Sequence, residues 1–253
     1  GIAPARAGAL WAHMGADYFL RETAADIAWH TEAILARATP EAPVVLTKAA
    51  GSRFDPVTQI FIYTRDRDYL FAVITATMEQ LGLNVYGARV YSSADRHTLD
   101  TFFVLEQDGR PVPPEGPRAG AIRQSLLEHI QGEEHYLDVV QRHTPRALKH
   151  FSAPTETRLN ADPVNGYSIL EVMTPDRAGL LARIGRVFLA FGIKVQNARI
   201  TTLGERVEDV FFITDANQQP IGDAEMGESL QRAIREALDQ GGAATDTARR
   251  ALA

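Results

Sequence analysis

Residues able to hold a small charged ligand stand together in one stretch, Thr174-Pro175-Asp176-Arg177-Ala178-Gly179-Leu180. Before it lies an apolar β-forming run, Ile169 to Met173. After it, Leu180, Leu181, Ile184, Val187, Phe188 and Phe191 recur at helical spacing. A strand–loop–helix junction of this kind offers unpaired N–H groups and the positive end of a helix dipole, both suited to a carboxylate. Gly179 has no Cβ, so a ligand can approach the backbone. Pro175 stiffens the entry, and Asp176 either caps the helix or meets an ammonium group. Together these parts suit the head group of a free amino acid. The same residues would also serve a capped turn with a packing glycine, and local physics alone favours that turn.

A second version of the stretch runs from Thr64 to Thr75, "TRDRDYLFAVIT". It offers a possible second site at Asp66, Arg67 and Asp68, but Tyr69 stands where the other version has Gly179. A tyrosine there crowds the space unless its ring points away. The later copy is therefore expected to hold the better preserved pocket, and the earlier one to lend a wall. Gly51-Ser52 followed by Asp66-Arg67-Asp68 also imitates the Gly-Ser…Asp-x-Asp pattern with which nucleotidyltransferases hold magnesium. That pattern needs two carboxylates on one strand face with an apolar residue between them. Here the middle residue is Arg67, and the later copy has Ala178 in place of the second aspartate, so no metal site is expected. His129, His135, His143 and His150, with Glu133 and Glu134, lack metal-binding spacings and read as a solvated linker helix. No Gly-x-Ser-x-Gly, P-loop or dinucleotide fingerprint is present, and no catalytic residue is expected.

The elements that position these loops are themselves duplicated. Displaced by about 110 positions, Asp66, Arg67, Leu70, Gly82, Val85, Ala88 and Arg89 fall on Asp176, Arg177, Leu180, Gly192, Val195, Ala198 and Arg199. Beyond a one-residue deletion, Asp100 and Phe102-Phe103 fall on Asp209 and Phe211-Phe212. Each copy reads strand, helix, two strands, helix. Gly82 and Gly192 close the first helices as left-handed C-terminal residues. Counting back from the hairpin turns places Arg89 opposite Asp100 and Arg199 opposite Asp209, as structural cross-strand pairs worth roughly 0.2–1 kcal/mol each. A ferredoxin-like unit needs one strand more. The runs "PVVLTK" and "APTETRL" before the two copies are expected to fill that edge position. Thr23 and Asp26 resemble a capping box, opening a helix within a helical arm. The predicted class is α+β: residues 1–40 form the arm, 41–150 the first unit with its linker helix, 151–240 the second unit, and 241–253 a tail.

Composition bounds the function. The net charge of −6 and the lack of a long basic run argue against nucleic acid as a partner. No apolar run approaches a membrane-spanning length. The chain has no cysteine, which excludes disulfides and thiolate sites and fits a cytoplasmic home. An opening at Gly1 reads as a segment of something longer.

The residues also carry a resemblance. "LEVMTPDRAGLLARIGRVFLAFGIKVQNARITTLGERVEDVFFITD" resembles an ACT domain, a small amino-acid-sensing module, and "FIYTRDRDYLFAVITATMEQLGLNVYGARVYSSADRHTLDTFFV" resembles a degenerate second one. The arm "LWAHMGADYFLRETAADIAWHTEAIL" is similar to the segment that precedes tandem ACT domains in bifunctional uridylyltransferase/uridylyl-removing enzymes. That resemblance implies two ferredoxin-like ACT domains and a sensor of glutamine or another free amino acid. It implies control of the uridylylation of the PII nitrogen-signalling protein. The magnesium-dependent catalytic domains would lie outside this chain, which itself needs no cofactor. Carried over, the ligand loop is Thr174, Asp176, Arg177, Ala178, Gly179 and Leu180, with Asn197 from the next strand. A homodimer through the sheets is a further implication. The competing readings are a ligand-free dimerisation or interaction module and a free-standing tandem ACT regulator.

Overall fold

Three short helices open the chain: α1 (Pro4–Trp11), α2 (Ala16–Arg21) and α3 (Ala24–Leu35). The computed structural model describes residues 2–52, 55–132, 154–177, 179–203 and 206–239. The first repeat follows as β1 (Val44–Gly51), β2 (Pro56–Arg65), α4 (Leu70–Gln80), β3 (Leu83–Ser92), β4 (His97–Glu106) and α5 (Pro117–Gln131). The second follows as β5 (Glu156–Asp162), β6 (Tyr167–Pro175), α6 (Leu180–Ala190), β7 (Lys194–Leu203), β8 (Arg206–Thr214) and α7 (Ala224–Asp239). The architecture is α+β, two tandem ferredoxin-like units behind a helical arm. The predicted linker helix beyond residue 132 and the tail lie outside the described residues.

All eight strands join one antiparallel sheet in the order β1-β2-β4-β3-β7-β8-β6-β5. The leader strands do fill the edges, β1 against β2 and β5 against β6. The two copies meet at a seam between β3 and β7. There Gly87, Ala88, Arg89, Val90 and Tyr91 pair with Thr201, Ile200, Arg199, Ala198 and Asn197. Arg89 lies opposite Arg199, its own counterpart in the repeat, so a local two-fold axis passes through that pair.

Strand alternation divides the first copy between two cores. Ile60, Ile62, Phe102 and Val104 face α4, α5 and the helices of the second copy. Phe61, Tyr63, Tyr91 and Leu99 face the other way, onto Met14, Tyr18 and Ile34 of the arm. Thr23 caps α3 by accepting from the Asp26 N–H, as its sequence predicts. Helices α4 and α6 cross at small residues, where a Cβ added to Gly185 would stand 2.9 Å from Ala72 Cα and 3.0 Å from Thr75 Oγ1.

The predicted hairpin register is off by one. Arg89 lies opposite Thr101, and Asp100 opposite Val90. Likewise Arg199 lies opposite Val210. A one-residue shift moves a side chain to the other face of a sheet. Arg89 therefore faces the arm, where it pairs with Glu22 at 2.8 Å and lies over the Phe103 ring. Asp100 and Asp209 face the helices instead and are buried, 2% and 1% exposed.

Candidate functional site

Each strand–helix junction enters its helix through a residue in the left-handed region, Gly179 at φ 72° and Tyr69 at φ 66°. The tyrosine thus keeps the glycine's backbone shape, at the steric cost a side chain carries there. A cavity lies at each junction, and each is walled by both copies.

The first cavity, about 330 Å³, lies at the β2–α4 junction. Asp66, Arg67, Asp68 and Tyr69 line it, with Arg96 and Asp100 from the β3–β4 hairpin. The second copy contributes Phe188 and Leu189 from α6 and Lys194 from β7. Lys194 reaches across the seam to Asp68, 2.9 Å away. The second cavity, about 120 Å³, lies at the β6–α6 junction. Asp176, Arg177, Gly179, Leu180 and Asp209 line it, with Thr75, Met78 and Glu79 from α4 of the first copy. Repeat partners occupy matching walls: Asp66 and Asp176, Asp100 and Asp209, Leu189 and Glu79.

The later copy, expected to hold the better preserved pocket, has the smaller cavity of the two, and Glu79 is the physical reason. A Cβ placed on Gly179 would run into the Glu79 carboxylate. Arg186 holds that carboxylate at 2.9 Å, while Glu79 Oε1 has no hydrogen-bond partner among the described residues. The glycine does admit a carboxylate at the helix N-terminus, but it is the protein's own. Leu189, the counterpart of Glu79, brings no charge to the first cavity, and Tyr69 lines that cavity without filling it.

The predicted site residues divide. Asp66, Arg67 and Asp68 meet in the first cavity. Asp176, Arg177, Gly179 and Leu180 meet in the second. Ala178 lies outside the described residues. Thr174 is buried behind its loop and shares a 2.9 Å hydrogen bond with Thr155, whose hydroxyl donates to Asp239. Arg177 also donates to the Leu238 carbonyl at 2.5 Å, tying the loop to the end of α7. Asn197 is not brought to the loop. It donates to Asp17 in the arm at 3.4 Å, on the side of the sheet away from the cavities. Sequence reasoning missed Glu79, Lys194, Asp100 and Asp209 as cavity residues. A signal existed for the two aspartates, each being a charged residue on the core face of an otherwise apolar strand.

The buried carboxyls are electrostatically unusual. Complete burial pushes Asp100 up to about 8, the nearby Asp66 adds to this, and the Thr98 hydroxyl opposes it by donating to the carboxylate. Burial also raises Asp209 well above the ordinary range, with Asp176 adding, and the Thr201 N–H donating to it at 3.4 Å. Asp66 is raised by burial, against the pull of Lys194 and Arg96. A carboxyl raised in the folded state contributes stability that is complete below its unfolded value and is lost as pH rises through its folded value. Between about pH 4 and pH 8, Asp100 should therefore make the wild type progressively less stable as pH rises, by on the order of 1 kcal/mol per pH unit. Asp100→Asn should remove that slope. Urea denaturation of both proteins across this range checks it, and parallel curves would refute it.

The parts of the imitated Gly-Ser…Asp-x-Asp pattern do not come together in space. Gly51-Ser52 sits at the far end of β2 from Asp66, with that ten-residue strand between them, about 30 Å at strand rise. Among the described residues, no group of three or more His, Asp or Glu side chains is placed to hold an ion. None of their helices is long and apolar enough to cross a membrane.

Comparisons agree with this anatomy. Residues 1–33 match a family described as the fifth domain of the uridylyltransferase GlnD. Residues 168–228, in the second copy, match the ACT domain family. A bifunctional uridylyltransferase/uridylyl-removing enzyme of Stutzerimonas stutzeri is 48% identical over 95% of this chain and 27% of its own length. The Azotobacter vinelandii enzyme of the same description gives 48%, 95% and 27%, and that of Ectopseudomonas mendocina 47%, 95% and 27%. This chain thus spans about a quarter of the length of these relatives. No solved structure matches it significantly.

Proposed function

We propose that this chain, whose sequence corresponds along 95% of its length to the C-terminal part of bifunctional uridylyltransferase/uridylyl-removing enzymes, is their glutamine-sensing regulatory segment. On this reading it acts in the cytoplasm and governs whether the whole enzyme attaches UMP to the PII protein or removes it. The catalytic residues and any magnesium belong to other parts of that enzyme. The observation carrying the proposal is that each helix-entry loop faces a cavity whose opposite wall belongs to the other copy. A ligand seated there touches both copies, so it can favour one relative arrangement over another. Differential affinity of that kind is what a population shift requires.

The first cavity is the principal site. Its volume reaches the range of small-molecule pockets, and the second cavity is narrowed by Glu79. The amino acid's carboxylate would take the N–H groups at the start of α4. A site that satisfies the glutamine amide should reject analogues lacking it. Calorimetry of the chain with L-glutamine should show saturable heat, and L-glutamate should bind at least tenfold more weakly. No heat and no change in amide chemical shifts at millimolar glutamine would defeat the sensor reading. It would favour the ligand-free packing module that Glu79 imitates at the second junction.

A further inference from the structure

We propose that Asp100 and Asp209 are the ammonium receptors on the floors of the two cavities, and that each releases a proton to solvent when a ligand's ammonium group arrives. This rests on the amino-acid reading given above and assigns a part of the site that the loops do not supply.

The geometry comes first. Both aspartates lie on the helix-facing side of the fourth strand of their own unit, β4 and β8, at matching positions of the repeat, and each lines the cavity at its own junction. Both are almost fully buried. Asp209 Oδ2 has no hydrogen-bond partner among the described residues, although it lines a cavity. An orphaned buried oxygen is costly unless some state of the protein satisfies it. Asp100 accepts from the Thr98 hydroxyl and Asp209 Oδ1 from the Thr201 N–H, but neither has the cationic partner that the sequence-based pairings with Arg89 and Arg199 supposed. The sheet register instead sends those arginines to the opposite face.

The rest of each site says what the partner is. The helix N-terminus at the junction suits a ligand carboxylate, so a carboxyl deeper in the same cavity is placed to meet the other pole of a zwitterion. The groups facing Asp100 are Asp66, Arg67, Asp68 and Arg96 from its own copy and Lys194 from β7. Those facing Asp209 are Asp176 and Arg177 from the loop and Glu79 from α4. The pairing of Lys194 with Asp68 and of Arg186 with Glu79 leaves these cations engaged elsewhere.

Burial raises both carboxyls, Asp100 to about 8 and Asp209 well above the ordinary range, and so favours their protonated forms in the empty site. A cation brought alongside favours the ionised form. The step balances simply: a protonated aspartic acid and the ligand's ammonium ion give an aspartate–ammonium ion pair and one free proton. The O–H bond of the carboxyl breaks, its electron pair stays on the carboxylate, and the proton leaves to buffer. No bond of the ligand is broken. Affinity therefore rises with pH up to the pKa of the empty site, and cellular pH becomes a second input to an amino-acid sensor.

The test is calorimetry of the whole 253-residue chain with L-glutamine at pH 7, in buffers of different ionisation enthalpy. The expected result is a slope of about one proton released per glutamine bound. Glutaramic acid, which lacks the amino group, should release none. Asp100→Asn should abolish release at the first cavity and weaken glutamine at least tenfold, and the double variant with Asp209→Asn should show no proton release at all. Amide spectra of each variant establish that it is folded. Buffer-independent heat in the wild type, or an unchanged affinity in the double variant, would overturn the proposal while leaving glutamine sensing intact. No heat in the wild type would overturn both.

Discussion

Replacing Gly185 with valine should destabilise the chain by about 3 kcal/mol and loosen one copy from the other. Gly185 sits where α6 crosses α4, and even a bare Cβ would come 2.9 Å from Ala72 Cα, a backbone atom that cannot swing aside. Alanine tests the geometry gently. It gains about 1 kcal/mol in helix propensity over glycine, which the overlap should cancel or exceed. Valine adds two more methyl groups at the same point and gains less than alanine, being β-branched. Thr75 Oγ1 at 3.0 Å and Ala72 Cβ at 3.3 Å from the added Cβ leave little room for them. Because α4 and α6 both wall the two cavities, the variant should also weaken glutamine binding. Urea midpoints of wild type, Gly185→Ala and Gly185→Val measure the series. A valine variant within about 0.5 kcal/mol of wild type, the ordinary range for a surface change, would show that the helix crossing has slack.

Truncating Tyr18 to alanine should cost about 3–5 kcal/mol and free the arm while the sheet stays folded. Tyr18 is 1% exposed, packs edge-on to Tyr91, and shares a 2.9 Å hydrogen bond with His30 Nδ1. His30 is itself buried and stacks on Phe61 at 3.7 Å. Both tryptophans of the chain, Trp11 and Trp29, lie in arm helices, so indole fluorescence reports the arm alone. The variant should show a red-shifted emission with little loss of sheet circular dichroism. The same reporter should reveal acid release in the wild type. Burial holds His30 down at about 3, against an ordinary value of 6.5. A histidine kept neutral in this way contributes stability that is complete above about pH 6.5 and is lost as pH falls towards 3. The neighbouring Asp26 complicates this little. Burial works against its charge, but its hydrogen bonds from Lys48 and Thr23 hold it at about 2, so that anchor survives most of the range. An emission spectrum unchanged from pH 7 to pH 4 would contradict the assignment.

Much of the fold was legible because duplication doubles every sequence observation. The 110-residue offset exposed both strand–helix–strand–strand–helix sets, and the missing edge strand directed attention to the two leader runs that became β1 and β5. Register was less legible. A hairpin read one residue out keeps its strands and exchanges its faces. Arg89 and Asp100 therefore looked like partners when they lie on opposite sides of the sheet. The loop residues of the site could be read from local chemistry, whereas their far walls could not. Lys194 and Glu79 belong to the opposite copy from the loops they meet, and their arrival depends on the β3–β7 seam, which no local pattern announces. Tyr69 substitutes for Gly179 in backbone conformation and lines a cavity to which the other copy contributes Phe188, Leu189 and Lys194.

That seam also limits how the two halves can answer each other. Five residue pairs of backbone ladder prevent sliding, since a shift of one residue would turn core side chains outward. The freedom that such a ladder leaves is torsion, a change of twist between the two half-sheets about the Arg89–Arg199 axis. Both cavities straddle that axis at symmetric positions, so a single angle sets the width of each. On the proposed reading, a ligand in one cavity would bias that angle and so the other cavity, with coupling equal in both directions. A sensor built on this duplicated sheet would report onward an angle rather than a displacement.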